Sequence, residues 1–221
     1  MFIPLRDENP TSRFPLITAL LIAANAAVFL ANAVVPHGLE MAAVRFGAVP
    51  FEITHFRSLD EALRFPPLLT LLTSMFLHGS FFHLAGNMLY LWIFGNNVED
   101  FLGWFRFSLF YVLCGLAAAL SQVAATPNSR VPMIGASGAI AGLLGAYWLL
   151  FPRARIMTFV FLIFYIDVVA VPAGVFLGLW FLMQVLNVGL GGGVAWFAHI
   201  GGFLAGLALV RGLGGRGLRR A

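Results

Sequence analysis

Between Phe14 and Val35 no side chain carries a charge, and further uncharged apolar runs recur at Phe107 to Ala125, Val131 to Phe151 and Val168 to Val210. An α-helix rises ~1.5 Å per residue, so a run of ~20 apolar residues crosses the hydrocarbon core of a bilayer. The whole chain agrees with this: 61% of its 221 residues are hydrophobic, 10% are charged and the mean hydropathy is +0.93. A soluble domain carries about a quarter charged residues. This chain therefore lacks the polar groups to cover a water-facing surface, and the sequence predicts an all-α membrane protein with the lipid bilayer as its solvent.

Six spans are predicted. The first is Phe14 to Val35, the second lies at about Met75 to Gly95, the third is Phe107 to Ala125 and the fourth is Val131 to Phe151, stopped by Pro152. Ile156 to Ile166 is apolar but too short to span, so it reads as an interfacial or re-entrant piece ended by Asp167. Val168 to Val210 holds spans five and six, divided by Gly189, Gly191, Gly192 and Gly193. Segment 1–13 precedes this 14–211 helical domain, a basic tail 212–221 follows it, and 36–67 reads as a compact amphipathic first loop on the bilayer surface.

All 13 basic residues are arginines. With both termini inside, Arg6, Arg13, Arg106, Arg153, Arg155, Arg211, Arg216, Arg219 and Arg220 face the cytoplasm, and Arg45, Arg57, Arg64 and Arg130 lie outside. That excess fits the positive-inside rule. It explains the basic pI near 10.0 better than nucleic acid does, because no basic stripe interleaved with aromatics is present. Cys114, the single cysteine, sits in an apolar run and reads as a small buried hydrophobe.

A charged group in the hydrocarbon costs ~2.5 to 3.5 kcal/mol or more, and intramembrane polar residues are therefore functional candidates. The informative set is His83 and Asn87 in span two, Ser137 in span four and His199 in span six. These three spans run in one direction. Counting from their expected starts, the residues share a layer ~6 to 12 Å below the outer surface. A serine, a histidine and two further hydrogen-bonding groups in one layer suit nucleophilic acyl transfer. Gly138 with Gly142, and Gly202 with Gly206, form small-residue faces that let spans four and six approach. Gly135 and Gly138 leave space beside the serine.

The string His83-Leu84-Ala85-Gly86-Asn87-Met88, then Gly95 and Glu99, then Gly135-Ala136-Ser137-Gly138, then Ala198-His199-Ile200-Gly201-Gly202, resembles the rhomboid family of intramembrane serine proteases. The resemblance runs from the amino-terminal segment to span six. It implies a six-helix bundle with a water-filled cavity, Ser137 as nucleophile and His199 as general base. It also implies an oxyanion hole made by His83, Asn87 and the Ser137 backbone amide, with no cofactor and no metal. The implied substrates are other transmembrane proteins with a helix-destabilised segment and a small residue at the cut, and the implied location is a bacterial plasma membrane. Two positions depart from the family pattern: Leu69-Thr70 stands where relatives have a tryptophan followed by arginine or threonine, and Ala141 stands where some place an aromatic to stack on the base.

Simpler readings compete residue by residue. Serine in a glycine-rich membrane helix is commonly a packing residue, and a single histidine commonly an interior hydrogen-bonding or transport group. His78 reads as a loop-anchoring residue, His37 and His55 as surface groups, and Asp167 as a solvated inner-face acid. A zinc site of His78, His83 and His199 lacks a His-Glu-x-x-His motif. A transporter would show repeat symmetry between its halves, which the sequence does not. An inactive scaffold would not need both Ser137 and His199.

Overall fold

A computed structural model describes residues 2–60, 62, 65–162, 165–190 and 193–214. Glu61 and Arg64 of the first loop, Gly191 and Gly192, and Arg216, Arg219 and Arg220 of the tail lie outside these residues.

The chain opens with strand β1 (Phe2–Asp7) and helix α1 (Leu16–Ala33). Two short helices, α2 (Gly38–Phe46) and α3 (Pro50–His55), form the first loop, whose Ala48, Val49 and Ile53 are buried. Helix α4 (Pro67–Thr73) and a 3-10 turn at Ser74–Phe76 lead into α5 (Phe81–Leu102), and α6 (Trp104–Ala125) follows across Gly103. Then come α7 (Ser137–Leu150), strands β2 (Arg155–Leu162) and β3 (Tyr165–Pro172), α8 (Ala173–Leu186) and α9 (Trp196–Leu213).

Among the described residues α1, α6 and α9 are long and apolar enough to cross a membrane, and α4 with its turn and α5 make a fourth candidate bent by 81°. α7 and α8 are apolar but have 14 residues each, which at ~1.5 Å per residue is shorter than the hydrocarbon core. The chain is a multi-pass membrane protein.

The expectation of an all-α chain needs correction. β1, β2 and β3 form an antiparallel sheet in that order, with Phe2 opposite Val160 and Ile156 opposite Val171. The region read as an interfacial piece is a β-hairpin instead. Its physical reason is a run of β-branched and aromatic side chains with period-two burial, in which Ile156, Thr158 and Val160 are inward and their neighbours less so. Span five accordingly starts at Ala173 rather than Val168, and Asp167 is exposed on β3 opposite Val160.

At the sheet end three acids fasten the amino-terminal segment. Pro15 precedes α1 and offers no capping side chain. Glu99, buried near the end of α5, supplies the cap: its carboxylate accepts from the Ile17 N–H at 2.9 Å, the Thr18 N–H at 2.8 Å and the Thr18 hydroxyl at 2.8 Å. Those donors have no acceptor within their own helix, and an anion there opposes the helix dipole favourably. Asp100 accepts from the Ser12 N–H and hydroxyl, each at 2.8 Å. Asp7 on β1 accepts from Tyr147 Oη at 2.6 Å and Asn97 Nδ2 at 2.7 Å.

α6, α7 and α9 pack through glycines. A Cβ on Gly202 would strike the Gly138 carbonyl, one on Gly206 the Gly142 carbonyl, and one on Gly145 the Phe203 carbonyl. Gly138 and Gly142 likewise lie against Ala118 and Cys114 of α6, and Cys114 is fully buried as the small hydrophobe expected. Lipid gives helices no hydrophobic reason to associate, so contact of this closeness supplies the packing energy.

Two outcomes test this frame by unfolding in detergent. Gly206→Ala is expected to destabilise by about 1–3 kcal/mol or more through overpacking. Gly86→Ala, where a Cβ meets nothing within 4 Å, is expected to be neutral or to stabilise by up to ~1 kcal/mol through helix propensity. Burial raises the Asp7 pKa above its ordinary 3.8, against the bonds from Tyr147, its own backbone and Asn97. Its contribution is therefore fully present below that value and is lost as pH rises through the raised one. Asp7→Asn keeps an oxygen for both donors, and its stability relative to the parent is expected to improve as pH rises between about 3 and 7.

Candidate active site

His83, Ser137 and His199 each sit in the first turn of a helix, and Asn87 follows His83 one turn along. α5 starts at Phe81, not near Met75, because the chain bends after Phe76, and His83 is therefore in its first turn. Ser80 caps this turn by accepting from the His83 N–H at 3.1 Å. Ser137 is the first residue of α7 and His199 lies in the first turn of α9. Expected depths of several residues into each span are thus replaced by three helix starts that converge on one place.

The approach to Ser137 is extended because Pro132 and Gly135 exclude helix. Met133 pairs with Ala48 of the first loop in both directions, at 2.8 and 3.0 Å, and the Gly135 N–H donates to the Ser74 carbonyl at 2.9 Å. Gly135 has φ +120°, a conformation that side-chain-bearing residues avoid. Its missing side chain matters as well: a Cβ there would lie 2.8 Å from His83 Nε2 and 3.7 Å from Ser137 Oγ. Gly135 therefore seats the His83 ring beside the serine.

Ser137 Oγ and His199 Nε2 are 2.9 Å apart. The other ring nitrogen of His199 is 2.8 Å from Gln184 Oε1 on α8. The Trp180 and Trp196 rings flank the imidazole at centroid distances of 5.9 and 6.2 Å, so aromatic neighbours come from α8 and α9 although Ala141 supplies none. Asn87 Nδ2 donates to the His83 carbonyl at 2.8 Å, which leaves its second N–H to the cavity side.

His83, Asn87, Ser137 and His199 all line a cavity of about 640 Å³, together with Gln122, Met133 and Val194. None of its described lining residues is acidic or an arginine. The Ser137 N–H, at a helix start, has no acceptor in its own helix. A hydroxyl hydrogen-bonded to an imidazole nitrogen, with unspent donors around an open cavity, is an arrangement suited to acyl transfer.

The rhomboid domain model matches residues 66–216. This chain belongs to the rhomboid family. It is 34% identical over 148 residues to Rhomboid protein 1, mitochondrial, of Saccharomyces cerevisiae, covering 63% of this chain and 40% of that protein. It is 43% identical over 76 residues to Rhomboid protease GluP of Bacillus subtilis, covering 34% of this chain and 14% of that one. Presenilin-associated rhomboid-like protein, mitochondrial, of Bos taurus is 36% identical over 88 residues, 39% of this chain and 23% of its own length. The chain thus spans well under half of these curated relatives.

The remaining candidates of this rhomboid chain lie elsewhere. His78 is buried beside His83, their ring centroids 5.0 Å apart, and neither of its ring nitrogens has a hydrogen-bond partner. His37 is exposed beside Glu40, and His55 is exposed and bonded to the Phe51 carbonyl at 3.0 Å. Two residues at the site were not foreseen. Gln122 accepts from the Ala198 N–H at 3.3 Å, and Gln184 meets His199. The signal was available, since each is an uncharged amide in an apolar span and falls under the same cost argument as the histidines.

Gly135→Ala is expected to cost of order 1–3 kcal/mol from the backbone conformation alone. A lowered Tm in detergent would show it, and an unchanged Tm would mean that the turn tolerates a side chain.

Proposed function

We propose that this chain is an intramembrane serine endopeptidase working through a Ser137–His199 dyad. The observation that carries the reading is the 2.9 Å contact between Ser137 Oγ and His199 Nε2 on the wall of the cavity. Membership of a family that includes proteases supports it, as does the likeness to Rhomboid protease GluP of Bacillus subtilis.

In this reading His199 Nε2 removes the Ser137 hydroxyl proton as Oγ attacks the scissile carbonyl carbon. The carbonyl oxygen becomes an oxyanion, which the Ser137 N–H, the Asn87 amide and His83 stabilise. Removing one such donor costs ~10² to 10³ in turnover. The protonated imidazole then gives its proton to the leaving amine, and the acyl group stays on Oγ. Water, deprotonated by the same nitrogen, releases it as a carboxylic acid and restores the hydroxyl.

Substrates are transmembrane proteins with a helix-destabilised segment and a small residue at the cut. Six helices, α1, α5, α6, α7, α8 and α9, make the bundle within 14–211, with α7 and α8 as its short passes. The arginine distribution supports a topology in which both termini, 1–13 and 212–221, are cytoplasmic and the cavity opens to the outer face of a bacterial plasma membrane.

Purified protein is expected to cut a model transmembrane substrate in detergent and to react with a fluorophosphonate. Ser137→Ala should abolish both, by at least ~10³-fold in turnover, and His199→Ala should abolish labelling. Cleavage by Ser137→Ala at the parent rate would refute the nucleophile. Cleavage lost on EDTA treatment would point to a metal enzyme instead.

A further inference from the structure

We propose that Gln184 is the positioning residue of the dyad, holding His199 in the one tautomer that leaves Nε2 free to take the serine proton. The proposal rests on the protease reading above and extends it to a residue on a third helix.

The hydrogen-bond chain has one consistent assignment, and it starts at a backbone carbonyl. The Trp180 carbonyl can only accept, and it lies 2.9 Å from the Gln184 amide nitrogen, one turn along α8. The Gln184 NH₂ donates there, which directs its oxygen away from that carbonyl and toward His199 Nδ1 at 2.8 Å. An amide oxygen only accepts, so Nδ1 carries the hydrogen. A neutral imidazole has one N–H. Nε2 is then the lone-pair nitrogen, 2.9 Å from Ser137 Oγ, whose hydroxyl donates to it. Every link from Trp180 to Ser137 is fixed by the one before it.

Burial gives the arrangement force. Gln184 is 6% exposed, and a buried amide must place both ends. The carbonyl of Trp180 and the ring of His199 take the two ends, while the Trp180 ring itself flanks the imidazole. A third partner of a serine–histidine pair usually carries a charge; this one is neutral. During acylation the hydroxyl proton moves to Nε2, the Nδ1 hydrogen stays where it is, and Gln184 keeps both of its own. Gln184 therefore orients the base and accepts no proton. It also makes the dyad depend on α8 although neither dyad member belongs to that helix.

The test compares Gln184→Leu, which keeps the size and loses the acceptor, with Gln184→Glu, whose protonated carboxyl keeps a donor for the Trp180 carbonyl and an acceptor at the same reach. Turnover of a model transmembrane substrate, Tm, and the imidazole ¹⁵N spectrum of His199, assigned by its loss in His199→Ala, are measured in detergent. Gln184→Leu is expected to lower kcat by about 10- to 100-fold with KM and Tm little changed, and Gln184→Glu to recover most of the loss. The parent spectrum should show Nδ1 protonated and Nε2 unprotonated, and Gln184→Leu should show both tautomers. Parent-like kcat in Gln184→Leu, equal losses of kcat and Tm in both variants, or an Nε2-protonated parent would each overturn the proposal. If Gln184→Leu does not fold, the parent spectrum and Gln184→Glu still decide it. Cleavage that survives Ser137→Ala would defeat the protease reading alone, because the tautomer is read without turnover.

Discussion

α7 and α9 touch backbone to backbone. Where Gly202 faces the Gly138 carbonyl and Gly206 the Gly142 carbonyl, no side chain fits between the helices. The separation of their axes is set by main-chain atoms and not by side chains that repack. Ser137 stands one residue before Gly138, and His199 three before Gly202. The distance from hydroxyl to imidazole is thus fixed by a contact about one turn further along the same two helices. Gly138 and Gly142 meet α6 as well, through Ala118 and Cys114, so the serine-bearing helix is held from two sides. In lipid, where apolar surface gains nothing by leaving the solvent, such closeness is the means by which helices acquire a definite spacing.

Charge is distributed in the opposite sense. Asp7, Glu99 and Asp100 gather at the sheet end, where Glu99 caps α1 and Asp7 and Asp100 secure the segment before it. The cavity end uses imidazole, amide and hydroxyl side chains, with no acid and no arginine among the described lining residues. This separation follows from cost. A carboxyl group is tolerated where several donors satisfy it, as at the sheet end, whereas an ionised one deep among apolar helices demands a counter-charge. A neutral amide beside His199 meets the need for an acceptor without that demand.

Much of this was legible in the sequence because two of its signals are physical necessities. Uncharged runs long enough to cross lipid must pair their backbone internally, since unpaired backbone groups are prohibitive there, and each predicted span contains a helix. Polar residues in such runs must find partners, and that argument places Ser137, His199, His83 and Asn87 in one layer. The sheet is not visible to hydropathy and length, which make Ile156 to Ile166 an interfacial piece and Val168 the start of span five, because hydropathy does not distinguish an apolar strand from an apolar helix; the β-branched, period-two pattern does. Helix starts were misplaced where Pro132, Gly135 and the bend after Phe76 keep the chain extended, for these are tertiary contacts with Ala48 and Ser74. Gln184 falls under the same cost argument as the amide of Asn87, but only the packing of α8 against α9 brings it to His199.

The helix starts have a chemical consequence of their own. An α-helix leaves its first N–H groups unbonded and carries roughly half a positive charge at that end. α5, α7 and α9 each begin within a turn of a cavity-lining side chain. In the proposed reaction the negative charge forming beside Ser137 is met by the amino-terminal end of α7, and no acid among the described lining residues competes with it. Full-length helices crossing the layer would have buried those N–H groups in their own hydrogen-bond ladders. Stopping α7 short at Ser137 exposes them beside the proposed nucleophile. The shortness of α7 that keeps it from spanning the hydrocarbon core by itself is thus the same feature that makes room for a polar cavity and supplies its donors.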